Sequence, residues 1–503
     1  MELHYTSSRT AKVVAFILCQ ILKYPLVGFI GFDALKHSPT RRSPKVKLSK
    51  AHFHSRVHKI PELCFEDQRL SSFSGLIILQ AFFTRLDLKP GLEKCFEHIR
   101  RSSSIGIHTV ALILIIHITL GFRRLREMDR YKDDPIVLRV LGLRRFPDVA
   151  TVSRTMAIVD EHSIEEIRAL NRQLILEWFG KIGITRITLD FDGSVLSTGR
   201  CAEGSAVGFN KKKKGQRSYY PLFCTIAQTS QILDFHHRPG NVHDSRDAEQ
   251  FILHCIRSVR QALSGVTIEA RLDSAFFSDK IVRLLHSEGV EFSSSVPFER
   301  FPELKGKIES RERWNRVDGR WSYFQEDWSP KCWNKEFRFL FIRQQVKVQN
   351  KKQVQFELFV PQQYGYDFKV VVTNKTVSSK KLLKFHNGRG PQENIFGELK
   401  TQNQMDYIPV RTLHGNQLYL CSTMLAHNLM RGLQMETRKP NRRTTEKRSP
   451  LWIFQESDMI RRHIIYRAGR LTKPQGKLKL AMSGNEATEK TFRYYLNALK
   501  SCA

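Results

Sequence analysis

The sequence predicts an α/β protein: an α/β core interrupted by a β-rich insertion and preceded by an all-helical region. Three observations lead there. Apolar residues recur at helical spacing from about 70 to 180. From 185 onward, short β-branched runs appear and then alternate with helical ones. Between 310 and 375 strand-like segments follow one another, and helical spacing returns after 391.

Residues 1–64 stand apart as an N-terminal arm without an assigned role. Within them "HSPTRRSPKVKLSK" (37–50) reads as a basic linker rich in Ser, Pro and Lys. In the helical region, 65–180, "SGLIILQAFFTRL" and "HTVALILIIHITLGFRRLREM" carry helical apolar spacing. Two short segments, "DDPIVLRVLG" and "DVATVSRTMAIVDE", follow around "LRRFP". With Thr151, Ser153 and Arg154 near the start of the second, they suit a DNA-reading helix-turn-helix; an ordinary bundle fits the same spacing. The core takes 181–309 and 376–435. "TRITLDFDGSV" is a strand, and "SYYPLFCTIAQ" with "QILDFHHRP" makes a hairpin around a tight "TS". Then come a helix ("DSRDAEQFILHCIRSVRQAL"), a strand ("VTIEARLDS"), a helix ("SDKIVRLLHSEG") and a strand ("VEFSSSVP"). Antiparallel pairing followed by strand–helix alternation is the order of an RNase H-like fold, which neighbouring α/β folds share in part. The insertion, 310–375, is read as a β subdomain, and a basic region, 436–503, closes the chain.

Charge narrows the function. Lys and Arg total 82 against 49 Asp and Glu, a formal charge of +33. That surplus implies a polyanionic partner, commonly nucleic acid. Nine cysteines without a CxxC pair give neither a disulfide framework nor a zinc site, and a reducing cytoplasm fits. The apolar run 13–32 is broken by Lys23 and Pro25; the run 105–121 is short for a span and holds two histidines and two threonines. A buried bundle helix is expected at 105–121, and a membrane-associated protein competes poorly with the charge.

Phosphodiester chemistry needs hard divalent cations, which prefer carboxylate oxygens, and three carboxylates from separate elements suffice to hold a pair of them. On a strand over "ITLDFDGSV", Asp190 and Asp192 share a face with Thr188 and Ser194, while Leu189 and Phe191 face a core. Asp192 is preferred because Gly193 follows it where the strand opens; Asp190 is the alternative. Asp273 ends an apolar strand before a helix, the place where active groups of α/β sheets collect; a cap or turn aspartate is the less favoured alternative. In "HNGRGPQENIFGELK" (386–400), Gly390 and Pro391 suit a helix start. Glu393 and Lys400 are two turns apart and share a face; Glu398 points elsewhere, so Glu393 is the third candidate. Arg389, just ahead of the helix, suits a phosphate.

These residues resemble a known family. His386, Arg389, Glu393 and Lys400 stand at the spacing of the Tyr-x2-Arg-x3-Glu-x6-Lys signature of bacterial insertion-sequence transposases with a DDE active site, with His386 at the signature's tyrosine. "LDFDGSV", "GFNKKKKGQRSYYPLF", "RPGNVHDS" and "ARLDSAFFS" resemble the family's other blocks in the same order, and the likeness runs from about 65 to 435. It implies an RNase H-like core with Asp192, Asp273 and Glu393 as catalytic metal ligands. It implies two Mg²⁺ ions, for which Mn²⁺ can substitute, double-stranded element ends and target DNA as substrates, a homodimer on DNA, and a hairpin intermediate. It also implies a cytoplasmic, nucleoid-associated bacterial protein. A relative that only binds the terminal repeats is the alternative that His386 raises.

Other residues join the expected DNA surface. Lys212, Lys213, Lys214 and Arg217 form a cationic run before a strand, and Arg154, His386, Arg389 and Lys400 complete the set. Asn241, His243 and Asp244 suit a capping loop better than a metal site. Four of six tryptophans, Trp314, Trp321, Trp328 and Trp333, crowd the insertion, where they suit either a small core or stacking of an extruded base.

Overall fold

A computed structural model describes residues 69–99, 105–199, 201–208, 210, 213–243, 246–331, 333, 335–345, 365–443 and 450–500. The expected arm 1–64, the apolar run 13–32, Lys212 and Asp244 lie outside the described residues.

Six helices open the described chain: α1 (Leu76–Arg85), α2 (Leu88–Lys94), α3 (Ile107–Thr119), α4 (Pro135–Leu141), α5 (Val149–Ala157) and α6 (Glu161–Ile182). Their ends follow local chemistry. Asp134, Asp148 and Asp160 each cap the helix that follows, accepting from backbone N–H groups of Val137, Thr151 and Ser163 among others. Gly183 ends α6 at φ +62, a left-handed conformation in which any Cβ is strained. α3 lies within the apolar run 105–121, and every residue of the helix but His108 is buried. Among the described residues no helix is long and apolar enough to cross a membrane.

The core begins at β1 (Arg186–Gly193), β2 (Leu222–Ile226) and β3 (Gln231–His236), continues through α7 (Ala248–Ala262), β4 (Thr267–Leu272), α8 (Asp279–Ser287) and β5 (Glu291–Val296), and adds α9 (Pro302–Glu309). β1 pairs antiparallel with β2, and β2 with β3. β4 lies parallel to β1 on its other side, and β5 parallel to β4. The hairpin connection takes residues 227–230 rather than a two-residue turn, with Ser230 at φ +52.

The insertion departs from expectation. Its strands β6 (Asn315–Arg316), β7 (Trp321–Trp328), β8 (Phe337–Gln345) and β9 (Tyr366–Thr373) make no sheet of their own. β9 pairs antiparallel with β5, Val370 opposite Val296, so one nine-stranded sheet runs β6-β7-β8-β9-β5-β4-β1-β2-β3. The reason is an edge: β5 would otherwise expose a row of unpaired backbone groups. The chain then returns through α10 (Ser379–Asn387), α11 (Pro391–Thr401) and α12 (Leu413–Thr437), and α13 (Glu486–Lys500) closes the described residues.

One sheet face, with Leu189 and Phe191, packs apolar side chains of α6, α7 and α8 into a core. Helices α1–α5 instead share a core with α11, α12 and α13, and α12 lies directly against α3. The opening helices therefore belong with the sheet to one unit, 67–503. Asp190 and Asp192 lie on the opposite sheet face from Leu189 and Phe191, as the strand period requires. On that side β1 meets α11, whose Gln392 Nε2 donates to the Asp190 carbonyl at 3.0 Å.

Candidate active site

Asp192 and Asp273 come from strands that lie parallel and adjacent, so the carboxyl ends of β1 and β4 open side by side. Each aspartate folds back on the turn behind it. Gly193 N donates to Asp192 Oδ1 at 2.8 Å, and Ser274 N donates to Asp273 Oδ1 at 2.6 Å. Their other oxygens face one cation. Arg389 Nη2 lies 2.6 Å from Asp192 Oδ2, and its Nη1 lies 3.8 Å from Asp273 Oδ2. Arg389 sits at the α10–α11 junction, so three segments remote in sequence meet at one guanidinium. Its Nε is buried and finds no acceptor among the described residues.

Glu393 lies one turn beyond Arg389 on α11 and is exposed. Among the described residues no three His, Cys, Asp or Glu side chains stand close enough to hold a metal ion. Asp192 and Asp273 thus share Arg389, and Glu393 follows Arg389 by four residues without joining them in a closed ligand set. The two aspartates have the hard oxygen donors that a Mg²⁺-class ion prefers, and a cation already stands between them. The donor chemistry of these two aspartates suits such an ion, and a third ligand would have to approach them.

Asp190, the alternative ligand, is committed elsewhere. It is 3% exposed and takes a two-pronged ion pair from Arg271, Nε to Oδ1 at 2.5 Å and Nη2 to Oδ2 at 2.6 Å. Burial, opposed by Arg271, leaves its carboxyl above the ordinary aspartate value. Glu398 is likewise buried. Arg431 Nη2 pairs with its Oε2, and Ser457 donates from N and Oγ to its Oε1 at 2.9 and 2.8 Å, tying α11 to α12 and to the start of the short helix Ser457–Ile460. Burial raises the Glu398 carboxyl, but Arg431, His427 and Ser457 together hold it below the ordinary glutamate value. Glu398→Gln is expected to cost about 3–5 kcal/mol in chemical denaturation, because Arg431 is left buried without its counter-charge. Its folded fraction should cut DNA at the wild-type rate.

Several expected DNA contacts need correction. His386 is 3% exposed and cannot reach a phosphate from where it lies. Its Nδ1 meets Ser293 Oγ at 2.9 Å and its Nε2 meets Ser295 Oγ at 3.0 Å, so both ring nitrogens are spent inside the fold. Trp328 and Trp333 are buried among Phe301, Phe277, Phe337 and Phe339 and serve the core, not a base. Trp314 and Trp321 are half-buried; the Arg343 guanidinium lies over the Trp314 ring at 4.6 Å. Arg154, Lys213, Lys214 and Arg217 are exposed, with Arg217 Nε donating to Ser205 Oγ at 3.0 Å and Arg154 bonded within its own helix. Lys400 is half-buried on the last turn of α11.

Residues 55–503 match the transposase DDE domain group 1 family. The chain belongs to that family. It is a DDE-type DNA transposase. No curated protein matches it. Similar solved structures are also transposases. A piggyBac transposase synaptic complex with hairpin DNA is 12% identical over 70% of this chain and 74% of that one, with a TM-score of 0.35. A Mos1 transposase paired-end complex with a left transposon end is 10% identical over 39% of this chain and 60% of that one, with a TM-score of 0.16. A Mos1 mariner paired-end complex with Mn is 10% identical over 57% and 78%, with a TM-score of 0.15.

Near the candidate site lies a cation that the sequence did not single out. Lys369, on β9, is half-buried, and its ammonium is lowered by burial and by the nearby Arg389, with Asp273 opposing. Nothing in "FKVVVTN" marks it, because its place depends on β9 joining the core sheet.

Proposed function

We propose that this transposase cuts and joins the ends of a bacterial insertion sequence, with Asp192, Asp273 and Glu393 as its catalytic carboxylates. One observation carries the reading: a single guanidinium, Arg389, faces both strand-end aspartates and heads the helix that bears Glu393. The strand order β3-β2-β1-β4-β5 supports an RNase H-like core beneath it.

Divalent ions of the Mg²⁺ class, with Mn²⁺ as a substitute, would activate the attacking oxygen and stabilise the leaving one when held by the three carboxylates. The chain's own residues do the rest. Asp192 and Asp273 are anchored by their backbone N–H bonds, which leaves an oxygen of each aimed outward. Arg389 releases the two aspartates and pairs with a phosphate, satisfying its orphaned Nε. Lys369 and Lys400 add positive charge beside a phosphodiester that becomes more negative as it is attacked. Water frees a 3′-hydroxyl at the element's end, and that hydroxyl then attacks the opposite strand or the target. No Ser or Tyr nucleophile is needed.

Helices α4 and α5 are the proposed end-reading pair, with Thr151, Ser153 and Arg154 toward the duplex, and Lys213, Lys214 and Arg217 contact its backbone. A homodimer follows from the need to cut two ends. The test is Mg²⁺-dependent nicking of a duplex bearing the element's end. Nicking at the end by wild type supports the reading; binding without nicking at any Mg²⁺ or Mn²⁺ concentration overturns it.

A further inference from the structure

Arg271 takes no part in the chemistry above, yet from β4 it touches both β1 and the last turn of α10. It lies on β4 two residues before Asp273 and is 3% exposed. Across β1–β4 it stands opposite Asp190, two residues before Asp192. Across β4–β5 it stands opposite Ser293, the serine that binds His386. Its Nε and Nη2 hold Asp190, and its Nη1 donates to the Phe385 carbonyl at 3.0 Å. Phe385 is in the last turn of α10, four residues before Arg389, and its ring lies 5.4 Å from the guanidinium carbon.

Backbone ladders already align β1 with β4. The α10–α11 junction has no such ladder to the strands. Side chains seat it: Arg271 on the Phe385 carbonyl, His386 between Ser293 and Ser295, and Gln392 on the Asp190 carbonyl. Gly388 belongs to this packing. A Cβ there would stand 2.5 Å from Arg271 Nη1, although its φ of −64 suits any residue.

We propose that Arg271 is a positioning residue: one buried guanidinium sets the register between the strand ends carrying Asp192 and Asp273 and the junction carrying Arg389 and Glu393. The claim rests on the proposed function for its catalytic meaning. A lysine cannot replace it, since an ammonium lacks the planar fork that serves Asp190 and a third acceptor together. Two variants separate register from stability. Arg271→Lys keeps the charge and loses the fork. Gly388→Ala keeps Arg271 and Asp190 and pushes on Nη1.

The experiment measures amide hydrogen exchange and cutting kinetics on the full chain. Both variants should exchange faster at 386–393 while amides of 187–191 and 268–272 keep wild-type protection. kcat for cutting should fall about 10²-fold, the cost of a displacement of about 1 Å, with KM for end DNA unchanged. Unchanged exchange at 386–393, or cutting that falls only with the folded fraction, overturns the proposal. If wild type itself does not cut, the proposed function fails, and the exchange pattern still decides whether Arg271 sets the register.

Discussion

Asp192→Asn, Asp273→Asn and Glu393→Gln should each lower end cutting by about 10³-fold or more, while end-DNA affinity stays within about twofold. Each variant keeps its side chain's shape and removes one anionic donor. Groups that act as a unit in catalysis lose nearly everything when one is removed, so the three losses should not add. Binding should survive because DNA affinity comes mainly from phosphate contacts, which these residues do not make. Asp192→Asn should also loosen Arg389, whose closest carboxylate is Asp192 Oδ2 at 2.6 Å. Single-turnover nicking of a labelled end duplex, beside fluorescence anisotropy for affinity, checks both halves. An Asp192→Asn protein that cuts at the wild-type rate would remove the aspartate from the site. Asp190→Asn should behave differently: it leaves Arg271 buried without its partner and should lower stability by about 3–5 kcal/mol.

Acid should unfold this protein well before most of its carboxylates are protonated. Among the described residues three histidine side chains are buried: His117, His386 and His427. Burial pushes His117 down to about 4, with Glu127 opposing. Burial and then Arg431 bring His427 to about 4, with Glu398 opposing. Burial, helped by Lys369, Arg389 and Arg271, holds His386 well below the ordinary histidine value. A group whose folded pKa lies below its unfolded one binds its proton more readily when unfolded. The stability these histidines contribute is therefore complete above about pH 6.5 and is lost as pH falls toward 4. Three protons correspond to a slope of about 4 kcal/mol per pH unit, large against the stability of an ordinary domain. Thermal unfolding followed from pH 7.5 to 4.5 should show a steep fall beginning near 6.5. A melting temperature flat down to pH 5 would contradict this account of the three imidazoles.

Where period and end signals were strong, the sequence was readable. Leu189 and Phe191 against Asp190 and Asp192 follow from alternation alone, and α11 begins where Gly390 and Pro391 suggest. Asp192 could be preferred to Asp190 only through Gly193. What commits Asp190 to an internal ion pair is Arg271, whose place opposite it depends on β4 lying parallel to β1. Long-range pairing hid the rest. His386 looked like a surface donor because its serine partners lie 91 and 93 residues earlier on β5. The insertion read as a separate subdomain because nothing local says that β9 will cover the open edge of β5. Glu398 was set aside by helical geometry, but its tie to Arg431 required α12 to fold back over α11.

The most direct measurement is hydroxyl-radical mapping with Fe²⁺ in place of Mg²⁺ on the full chain bound to an end duplex, with backbone cuts located by mass spectrometry. Radicals form at the bound ion and cut the backbone beside its ligands. The account predicts cuts in three stretches, around Asp192, Asp273 and Arg389–Glu393, all suppressed by excess Mg²⁺ and all weakened together by Asp192→Asn. Cuts confined to one or two of these stretches, or unaffected by Asp192→Asn, would contradict the claim that the three carboxylates share an ion.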